Sequence, residues 1–228
     1  MSIEISTDNG GGVASVLEQM SSSAFVGGNS TGLTVAQTAG TSTMFYNGGF
    51  IDANGTSIGY VSRSGGSSVA GGNTSSNINW ANPVAISGRI NAQTNFQTQC
   101  VFRMNIGAAN ATLGTPSVRS IGVLFGASAA DTLSALVLEV HNGTTLTSVT
   151  TSFTPTFGQM FDVLVYSDGT GNAYCYVNGS LVGSSSAAPS TQLAGGGGQS
   201  VFVIGLQNVT TPTASSRCYF YNLKWLTN

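Results

Sequence analysis

One stretch, residues 161–183, constrains the fold of this chain more than any other. Phe161, Val163 and Val165 occupy every second position in its first part, which is the period of a β-strand whose neighbouring side chains face opposite sides. Asp168 to Gly171 (DGTG) follow, and their glycines tolerate the positive φ that a tight reversal requires. The sequence therefore predicts a strand and a turn here.

A returning strand and a second turn complete this pattern. Residues 172–177 (NAYCYV) place Tyr174 and Tyr176 on one face of the returning strand. Asn178-Gly179 then matches the type I′ hairpin, in which both central residues have positive φ. Because residues 180–182 begin another apolar run, we predict a three-stranded antiparallel meander.

Further strand patterns surround the meander, and no helical stripe of any length follows residue 20, so the prediction is an all-β protein. The most regular alternation lies between residues 96 and 106, where Phe96, Cys100, Phe102, Met104 and Ile106 form an inward apolar set. The outward, solvent-facing set is Gln97, Gln99, Val101, Arg103 and Asn105. Other predicted strands are 43–46, 50–52, 57–62, 84–90, 118–125, 134–141, 144–152, 201–206 and 218–226, with a second Asn-Gly hairpin at 142–143.

The meander, with its D-G turn, its Y-V-N-G run and a short apolar strand, resembles the concanavalin A-like jelly rolls, the superfamily of laminin G-type and lectin-like domains. A glycine-bearing turn at 156–158, the apolar strand at 201–206 and the aromatic last strand CYFYNLKWL fit the same pattern. The resemblance covers residues 80–228 and implies an antiparallel β-sandwich. It implies little about a ligand.

The beginning of the chain has a different character. Residues 1–12 are polar and glycine-rich, and Val13, Val16, Leu17 and Met20 then fall at i, i+3, i+4 and i+7, one stripe of a short helix near residues 13–20. A helix of about two turns is marginal alone and needs a surface to pack on. We predict an N-terminal arm over 1–40 and a sandwich domain over 41–228. The stripe either caps its own sandwich or docks on a neighbouring subunit.

Low charge is the compositional feature that bears most on function. Charged residues make up 6% of the chain, against roughly 25% in an ordinary soluble protein. A surface with so few charges does little to keep copies apart. It is more typical of a subunit in a large assembly, or of a secreted protein that meets sugars, than of a free cytosolic monomer.

Several classes of partner are excluded on similar grounds. The formal net charge is −2, so the chain offers no basic patch to neutralise a run of phosphates, and we expect no nucleic-acid partner. No window approaches the roughly 18 apolar residues of a membrane span, so no membrane partner is expected. Residues 1–12 lack the positive and apolar regions of a signal peptide, which predicts synthesis in a host cytoplasm without export.

The best catalytic candidates are Glu139 and His141, which lie two residues apart in LVLEVH and share one face of a strand. Glycoside hydrolysis on a jelly roll needs two carboxylates at one cleft, and no second carboxylate has a suitable spacing. We therefore interpret the pair as surface-facing. The prediction is a protein that is not an enzyme and needs no cofactor.

Binding candidates are weaker. Asp168, Asn172 and Asn178 offer the oxygen ligands that Ca²⁺ prefers, but one carboxylate in a DGTGN loop is more typical of a hairpin turn, so we predict no metal site. Cys100, Cys175 and Cys218 lack zinc or disulfide spacing and read as small buried hydrophobes. Four aromatic residues either stack on sugar rings or lie in the core or a subunit interface: Tyr174, Tyr176, Trp80 and Trp225.

The function predicted from these features is structural. Composition, the missing signal peptide and the glycine-rich arm resemble bacteriophage virion proteins that carry lectin-like jelly rolls. We expect a capsid decoration (cement) protein, homotrimeric or otherwise symmetric, that contacts the major capsid protein or other virion subunits. One alternative is a tail-fibre or receptor-binding domain that recognises host surface glycans, and a second is a secreted carbohydrate-binding or glycan-hydrolysing protein.

Overall fold

Two antiparallel sheets make up the structure, a computed structural model. It describes residues 34–37, 40–45, 48–53, 58–64, 78–93, 100–107, 115–116, 118–129, 132–191, 200–208 and 216–226. Within these ranges the chain forms fifteen β-strands and no helix, so the all-β prediction is confirmed. The predicted helix near 13–20, with Val13, Val16, Leu17 and Met20, lies outside the described residues.

The strands follow the turn-to-turn spacing of the sequence, and each predicted strand has a counterpart. In chain order they are β1 (Thr34–Gln37), β2 (Gly40–Phe45), β3 (Gly48–Ala53), β4 (Ile58–Ser64), β5 (Val84–Ala92), β6 (Cys100–Ile106), β7 (Ser120–Ala129), β8 (Thr132–Leu133), β9 (Val137–His141), β10 (Leu146–Thr150), β11 (Met160–Ser167), β12 (Ala173–Val177), β13 (Ser180–Ser185), β14 (Ser200–Asn208) and β15 (Ser216–Leu226).

The strands divide between an eight-stranded and a seven-stranded sheet. The eight-stranded sheet has the order β1-β4-β14-β6-β7-β9-β10, with β8 paired to β7, and the seven-stranded sheet has the order β13-β12-β11-β5-β15-β3-β2. Strand β1 pairs with β4 and falls within residues 1–40, which the sequence analysis assigned to the arm. The sandwich therefore takes up part of that segment. In the described part of the chain no helix is long and apolar enough to cross a membrane.

The core lies between the two sheets and consists of their inward apolar side chains. Phe102 of β6 stacks on Phe125 of β7 with ring centroids 4.9 Å apart. Phe125 in turn meets Phe161 of the other sheet edge-on at 6.0 Å, so aromatic contacts join the sheets. Cys100, Phe102, Met104 and Ile106 are all fully buried, which confirms the inward set over the described part of this strand; Phe96 lies outside the described residues.

The predicted meander is confirmed as β11, β12 and β13 at one edge of the seven-stranded sheet. Val177 pairs with Ser180, and between them Asn178 and Gly179 have φ of 50° and 85°. This is the two-residue loop with positive φ at both positions that the dipeptide predicts. A strand reversal that tight leaves β12 and β13 in direct register beside the loop.

The second Asn-Gly dipeptide also joins two strands but makes a longer loop. His141 pairs with Leu146, so four residues connect β9 to β10, and only Gly143 has positive φ, at 106°. The reason is local: the Asn142 side-chain oxygen accepts hydrogen bonds from the N–H groups of Thr144 and Thr145, both at 2.9 Å. That arrangement stabilises a wider turn.

An irregularity in β15 keeps its aromatic residues on the correct faces. The register shifts between Tyr221 and Lys224, and Asn222 adopts φ of 51° in the bulge. One extra residue reverses the alternation, so Leu223 and Trp225 still point into the core while Lys224 faces outward. The sequence alternation alone does not reveal this extra residue.

Candidate functional site

The outer face of the eight-stranded sheet carries a polar cluster, which we define as Arg103, Asn105, Glu139 and His141. The register places Asn105 of β6, Gly122 of β7 and Glu139 of β9 in one row across three neighbouring strands. Arg103 lies in the next row on one side and His141 in the next row on the other. Four polar side chains from two strands thus meet around a position that has no side chain of its own.

Arg103 and Glu139 form the ion pair of this polar cluster. Arg103 Nε donates to Glu139 Oε2 at 3.0 Å, and Nη2 donates to Oε1 at 3.5 Å. The two side chains are only 12% and 4% exposed, so the pair is largely withdrawn from water. Planar guanidinium and carboxylate groups suit this two-point contact, and removing either partner would leave a buried charge.

The interpretation of Glu139 and His141 as surface-facing is wrong, because both are buried. They do share one face of β9, as their spacing predicts, but that face carries Arg103 and Asn105 from β6 as well. Gly143 N–H donates to His141 Nδ1 at 3.0 Å, which leaves Nε2 to carry the proton of the neutral ring. Burial lowers the pKa of His141, so the ring is uncharged at neutral pH.

Asn105 was likewise predicted to face solvent. The register does place it on the outer face, yet it is 4% exposed, and its Oδ1 has no hydrogen-bond partner among the described residues. A Cβ added to Gly122 would overlap this oxygen and the main-chain oxygen of Met104. Asn105 therefore lies across the surface of Gly122, in a notch that only glycine leaves open. We call this the Gly122 notch.

Gly122→Ala is expected to destabilise the protein by about 1–3 kcal/mol, because the new methyl group overlaps a main-chain oxygen that cannot move without disturbing β6. Gly88→Ala is the matched control in the other sheet, since a Cβ there meets its nearest neighbours, Leu223 and Met104, at 3.5 Å. Gly88→Ala should leave the stability unchanged or raise it by up to about 1 kcal/mol. Denaturant unfolding of both variants is the measurement, and equal losses would contradict the notch geometry.

The outer face of the seven-stranded sheet is different, because it is rich in aromatic rings. We define the tyrosine face as the five tyrosines on the outer side of β11, β12 and β15. Tyr166 and Tyr174 stack across two strands with centroids 5.9 Å apart and an interplanar angle of 20°. Tyr219 and Tyr221 stack along β15 at 6.3 Å and 7°. The fifth member, Tyr176, packs beside Tyr174 on the outer cluster of Ala85, Leu164, Tyr166 and Leu226.

Charged groups lie between and beside these rings. Arg89 and Asp162 form a two-point ion pair, with Nε to Oδ1 at 2.8 Å and Nη2 to Oδ2 at 2.9 Å, and both side chains remain partly exposed. The Arg217 guanidinium lies 5.9 Å from the centre of the Tyr219 ring, a cation–π distance. Lys224 is exposed on the same face. Asp52 of β3 stands opposite Arg217 in register and so belongs to the same face. The described part of this face therefore holds three cationic residues and two acidic ones.

The four aromatic candidates for sugar stacking separate into two pairs. Tyr174 and Tyr176 are half-buried on the outer face, where ring surface is within reach of a ligand. Trp80 is fully buried and Trp225 nearly so, and both belong to the core. Burial raises the pKa of Tyr176, so its hydroxyl stays protonated and can donate a hydrogen bond.

Asp168, Asn172 and Asn178 do not converge on one point. The Asp168 carboxylate accepts hydrogen bonds from the N–H groups of Thr170 and Asn172, at 2.7 and 3.1 Å, and from the Asn172 side chain at 2.8 Å. Burial acts to raise the pKa of Asp168, but these hydrogen bonds together lower it below its usual value. Asn178 instead accepts from Asp162 N–H at 2.9 Å. The loop is a self-satisfied hairpin turn, as the sequence favoured.

The three cysteines have a structural role, as small buried side chains. Cys100, Cys175 and Cys218 are fully buried, which confirms the prediction, and burial raises the pKa of Cys100 and of Cys175 to about 12. Thiols with such values stay protonated and unreactive at neutral pH. Over the residues with described side chains, no group of three or more His, Cys, Asp or Glu residues comes together.

Sequence reasoning missed Arg103 as a functional candidate. It stands 36 residues from Glu139 in the sequence. The only sequence signal for a role of Arg103 was a charged residue at an outward position of a strand whose inward positions are apolar. Opposite charges on outward positions of two strands become partners only when the strand order brings them near each other. That order, β6-β7-β9, emerged from the fold.

Comparison with known proteins identifies the fold. No family model and no curated protein sequence matches the chain. An alginate lyase from Pseudomonas aeruginosa matches with a TM-score of 0.56 and 15% identity, over 82% of this chain and 86% of that one. Botulinum neurotoxin type C, which depends on interaction with two ganglioside molecules to enter cells, matches with a TM-score of 0.54 and 13% identity, over 93% of this chain and 49% of that one.

A third solved structure, the binding domain of botulinum neurotoxin DC in complex with rat synaptotagmin II, matches with a TM-score of 0.54 and 12% identity, over 92% of this chain and 48% of that one. The chain thus spans about half the length of these toxin chains. At such identities the likeness establishes the fold alone, a β-sandwich of two antiparallel sheets.

Proposed function

We propose that this chain is a non-enzymatic, glycan-binding β-sandwich whose binding surface is the tyrosine face. The observation that carries this proposal is the pair of tyrosine stacks, Tyr166–Tyr174 and Tyr219–Tyr221, on the outer face of one sheet. Four of the five rings are only half-buried. Half-exposed rings held on rigid strands present flat apolar surfaces on which a sugar ring can pack.

The physical basis is the amphipathic character of both partners. One side of a sugar ring presents C–H groups, which pack on an aromatic ring, while its hydroxyls reach polar groups at the edge. Tyrosine suits this contact because it combines a large apolar surface with a polar hydroxyl and few rotatable bonds. Strands hold such rings more rigidly than loops do, which lowers the entropy cost of binding.

Charge favours an acidic glycan. Arg89, Arg217 and Lys224 outnumber Asp52 and Asp162 by one on the described part of this face, and guanidinium groups recognise carboxylates in two-point contacts. Uronic acids and sialic acids carry such carboxylates. Two of the similar structures support the choice of ligand class, because their names mention alginate and gangliosides.

The setting we propose for this binding is a bacteriophage virion. Its support is the composition, with 6% charged residues, which is typical of a subunit packed in an assembly. In one form of this proposal, the chain is a tail-fibre or receptor-binding domain that recognises host glycans. In the other form, it is a capsid decoration protein that contacts the major capsid protein as a symmetric oligomer. Low-resolution imaging of an assembly that holds this chain distinguishes the two by where the chain lies.

Replacing Tyr174 or Tyr219 by Ala should weaken binding of an acidic oligosaccharide by about tenfold each, which corresponds to roughly 1.4 kcal/mol of lost ring contact. The probes are sialyllactose and alginate oligosaccharides, titrated by calorimetry into the whole chain. Tyr174→Phe and Tyr219→Phe keep the ring and serve as controls that should retain most of the affinity. If neither acid sugar binds the unaltered protein, or if the Ala variants bind as well as it does, the proposal is wrong.

A further inference from the structure

The hairpin loop between β9 and β10 places a base on a main-chain nitrogen. Gly143 N–H donates to Nδ1 of His141 at 3.0 Å. A neutral imidazole nitrogen that accepts such a bond can also take the proton. Burial lowers the pKa of His141, so the accepting form of the ring is the one present at neutral pH. The nitrogen belongs to an Asn-Gly peptide bond, and it is the atom that attacks when an asparagine side chain loses ammonia.

We propose that Asn142-Gly143 is a self-modifying site, at which His141 is the base for cyclisation and deamidation of the Asn142 side chain. The reaction is intramolecular and takes place once in each chain, so it has no turnover of the kind that defines an enzyme. Water is the one further reactant. The site lies in the eight-stranded sheet and does not depend on the glycan-binding function proposed for the tyrosine face.

The proton returns to the leaving group in this reaction. His141 Nδ1 takes the proton of Gly143 N–H while that nitrogen forms a bond to Cγ of Asn142. The imidazolium then gives the proton to the side-chain Nδ2, which leaves as ammonia, and a cyclic succinimide remains. Water opens the succinimide at either carbonyl carbon and produces aspartate or isoaspartate. The net change replaces an amide by a carboxylate and needs no oxidant or reductant.

Two main-chain groups activate the carbon that is attacked. Asn142 Oδ1 accepts hydrogen bonds from the N–H groups of Thr144 and Thr145, both at 2.9 Å. The tetrahedral intermediate carries its negative charge on this oxygen, so the two donors stabilise it as an oxyanion hole does. The reacting atoms belong to adjacent residues, and the same hydrogen bonds hold the side chain in place. Little entropy is therefore lost in bringing the atoms together.

Arg119 adds a positive charge to the same peptide unit. Its Nε donates to the main-chain oxygen of Asn142 at 3.2 Å, which draws electron density from the peptide bond and makes the Gly143 N–H more acidic. A Cβ added to Gly143 would lie 3.1 Å from Arg119 Cγ and 3.2 Å from its Nε. Glycine therefore lets the cation approach, and it leaves the attacking nitrogen without a side chain to shield it.

Water and ammonia have open access to the loop. Residues 142–145 are all exposed, whereas the base, His141, is 6% exposed. The leaving group and the water that opens the succinimide thus meet no barrier, while the base is held in a fixed position by the strand that carries it. This combination favours reaction over simple protection of the asparagine by its turn.

Asn178-Gly179 is the matched control within the same chain. The residue before it is Val177, which cannot accept a proton, and Asn178 Oδ1 accepts one N–H, that of Asp162, at 2.9 Å. In urea the two dipeptides lose these surroundings and should react at similar rates. In the folded chain Asn142 should react about tenfold faster than Asn178 or more, because a positioned general base contributes on the order of 100-fold.

The experiment incubates the whole chain at neutral pH, folded and in urea, and follows the peptide around each asparagine by mass spectrometry. Conversion of Asn142 should be faster in the folded chain than in urea, and conversion of Asn178 should not. His141→Gln keeps an acceptor for Gly143 N–H but cannot take its proton. This variant should slow conversion of Asn142 by about tenfold or more and leave Asn178 unchanged.

Two results would overturn the proposal. One is that Asn142 in the unaltered protein converts no faster when folded than in urea, since the loop would then protect the side chain. This comparison needs no variant, so it decides the matter even where His141→Gln folds poorly. The other is that His141→Gln, with a native unfolding curve, converts Asn142 at the unaltered rate. No sugar enters either measurement, so neither result bears on the tyrosine face.

Discussion

Glu139→Leu should lower the free energy of unfolding by about 3–5 kcal/mol, because it leaves the Arg103 guanidinium buried without its carboxylate. The pair is 12% and 4% exposed, with Nε and Oε2 3.0 Å apart, so water cannot replace the lost partner. The double variant Arg103→Met with Glu139→Leu should recover most of the loss, because it removes both charges together. The interaction free energy between Arg103 and Glu139 is measured by a double-mutant cycle of urea unfolding.

The other ion pair is the natural control. Arg89 and Asp162 make the same two-point contact at 2.8 Å, but their side chains are 31% and 26% exposed. Water and salt screen such a pair, so Asp162→Asn should cost about 1 kcal/mol or less. Similar losses of unfolding free energy for Glu139→Leu and Asp162→Asn would contradict this prediction. A double variant no more stable than the less stable single variant would contradict it as well. Either result would show that burial of the Arg103–Glu139 pair does not make the loss of one partner costly.

Phe102→Ala should destabilise the sandwich by a similar amount, about 3–5 kcal/mol, because the cavity it leaves cannot close. Phe102 is fully buried and stacks on Phe125 at 4.9 Å, and Phe125 carries the contact on to Phe161 of the other sheet. Loss of the Phe102 ring therefore weakens packing in both sheets. Leu181 is 54% exposed, and Leu181→Ala, the control for removing an apolar side chain, should change stability by about 0.5 kcal/mol or less.

Thermal and urea unfolding of these two variants measure the difference directly. A loss for Phe102→Ala no greater than that for Leu181→Ala would mean that Phe102 does not face the core and that the register of β6 is displaced by one residue. Such a slip would also move Arg103 and Asn105 to the inner face. The core prediction and the polar cluster therefore stand or fall on the same register.

Alternation in the sequence predicted which side of each strand a residue occupies, and this succeeded because the two-residue period is a property of the extended backbone. Phe102 and Met104 face the core as expected, and Tyr174 and Tyr176 face outward. Exposure was predicted less well. Asn105, Glu139 and His141 lie on the outer face, as their positions required, yet they are buried. An outward position says nothing about what a neighbouring strand contributes to the same surface.

Turns show the same division. Asn178-Gly179 and Asn142-Gly143 are identical dipeptides, but the first makes a two-residue loop and the second a four-residue one. The difference comes from the side chain of Asn142, which accepts two main-chain hydrogen bonds. Asn178 instead accepts from Asp162 on the neighbouring β11. The dipeptide indicates a reversal, and the partner of its asparagine decides the length.

The sequence by itself determined the all-β class, the meander and the apolar side of β6, because these depend on contacts between residues close in the chain or on backbone period. Only the tertiary structure decided that β14 inserts between β4 and β6, and that β6, β7 and β9 lie side by side. The polar cluster follows from that order, since Arg103 and Glu139 are 36 residues apart and meet across Gly122. Non-local pairing of strands is set by the burial of the whole core, and no short stretch of sequence records it.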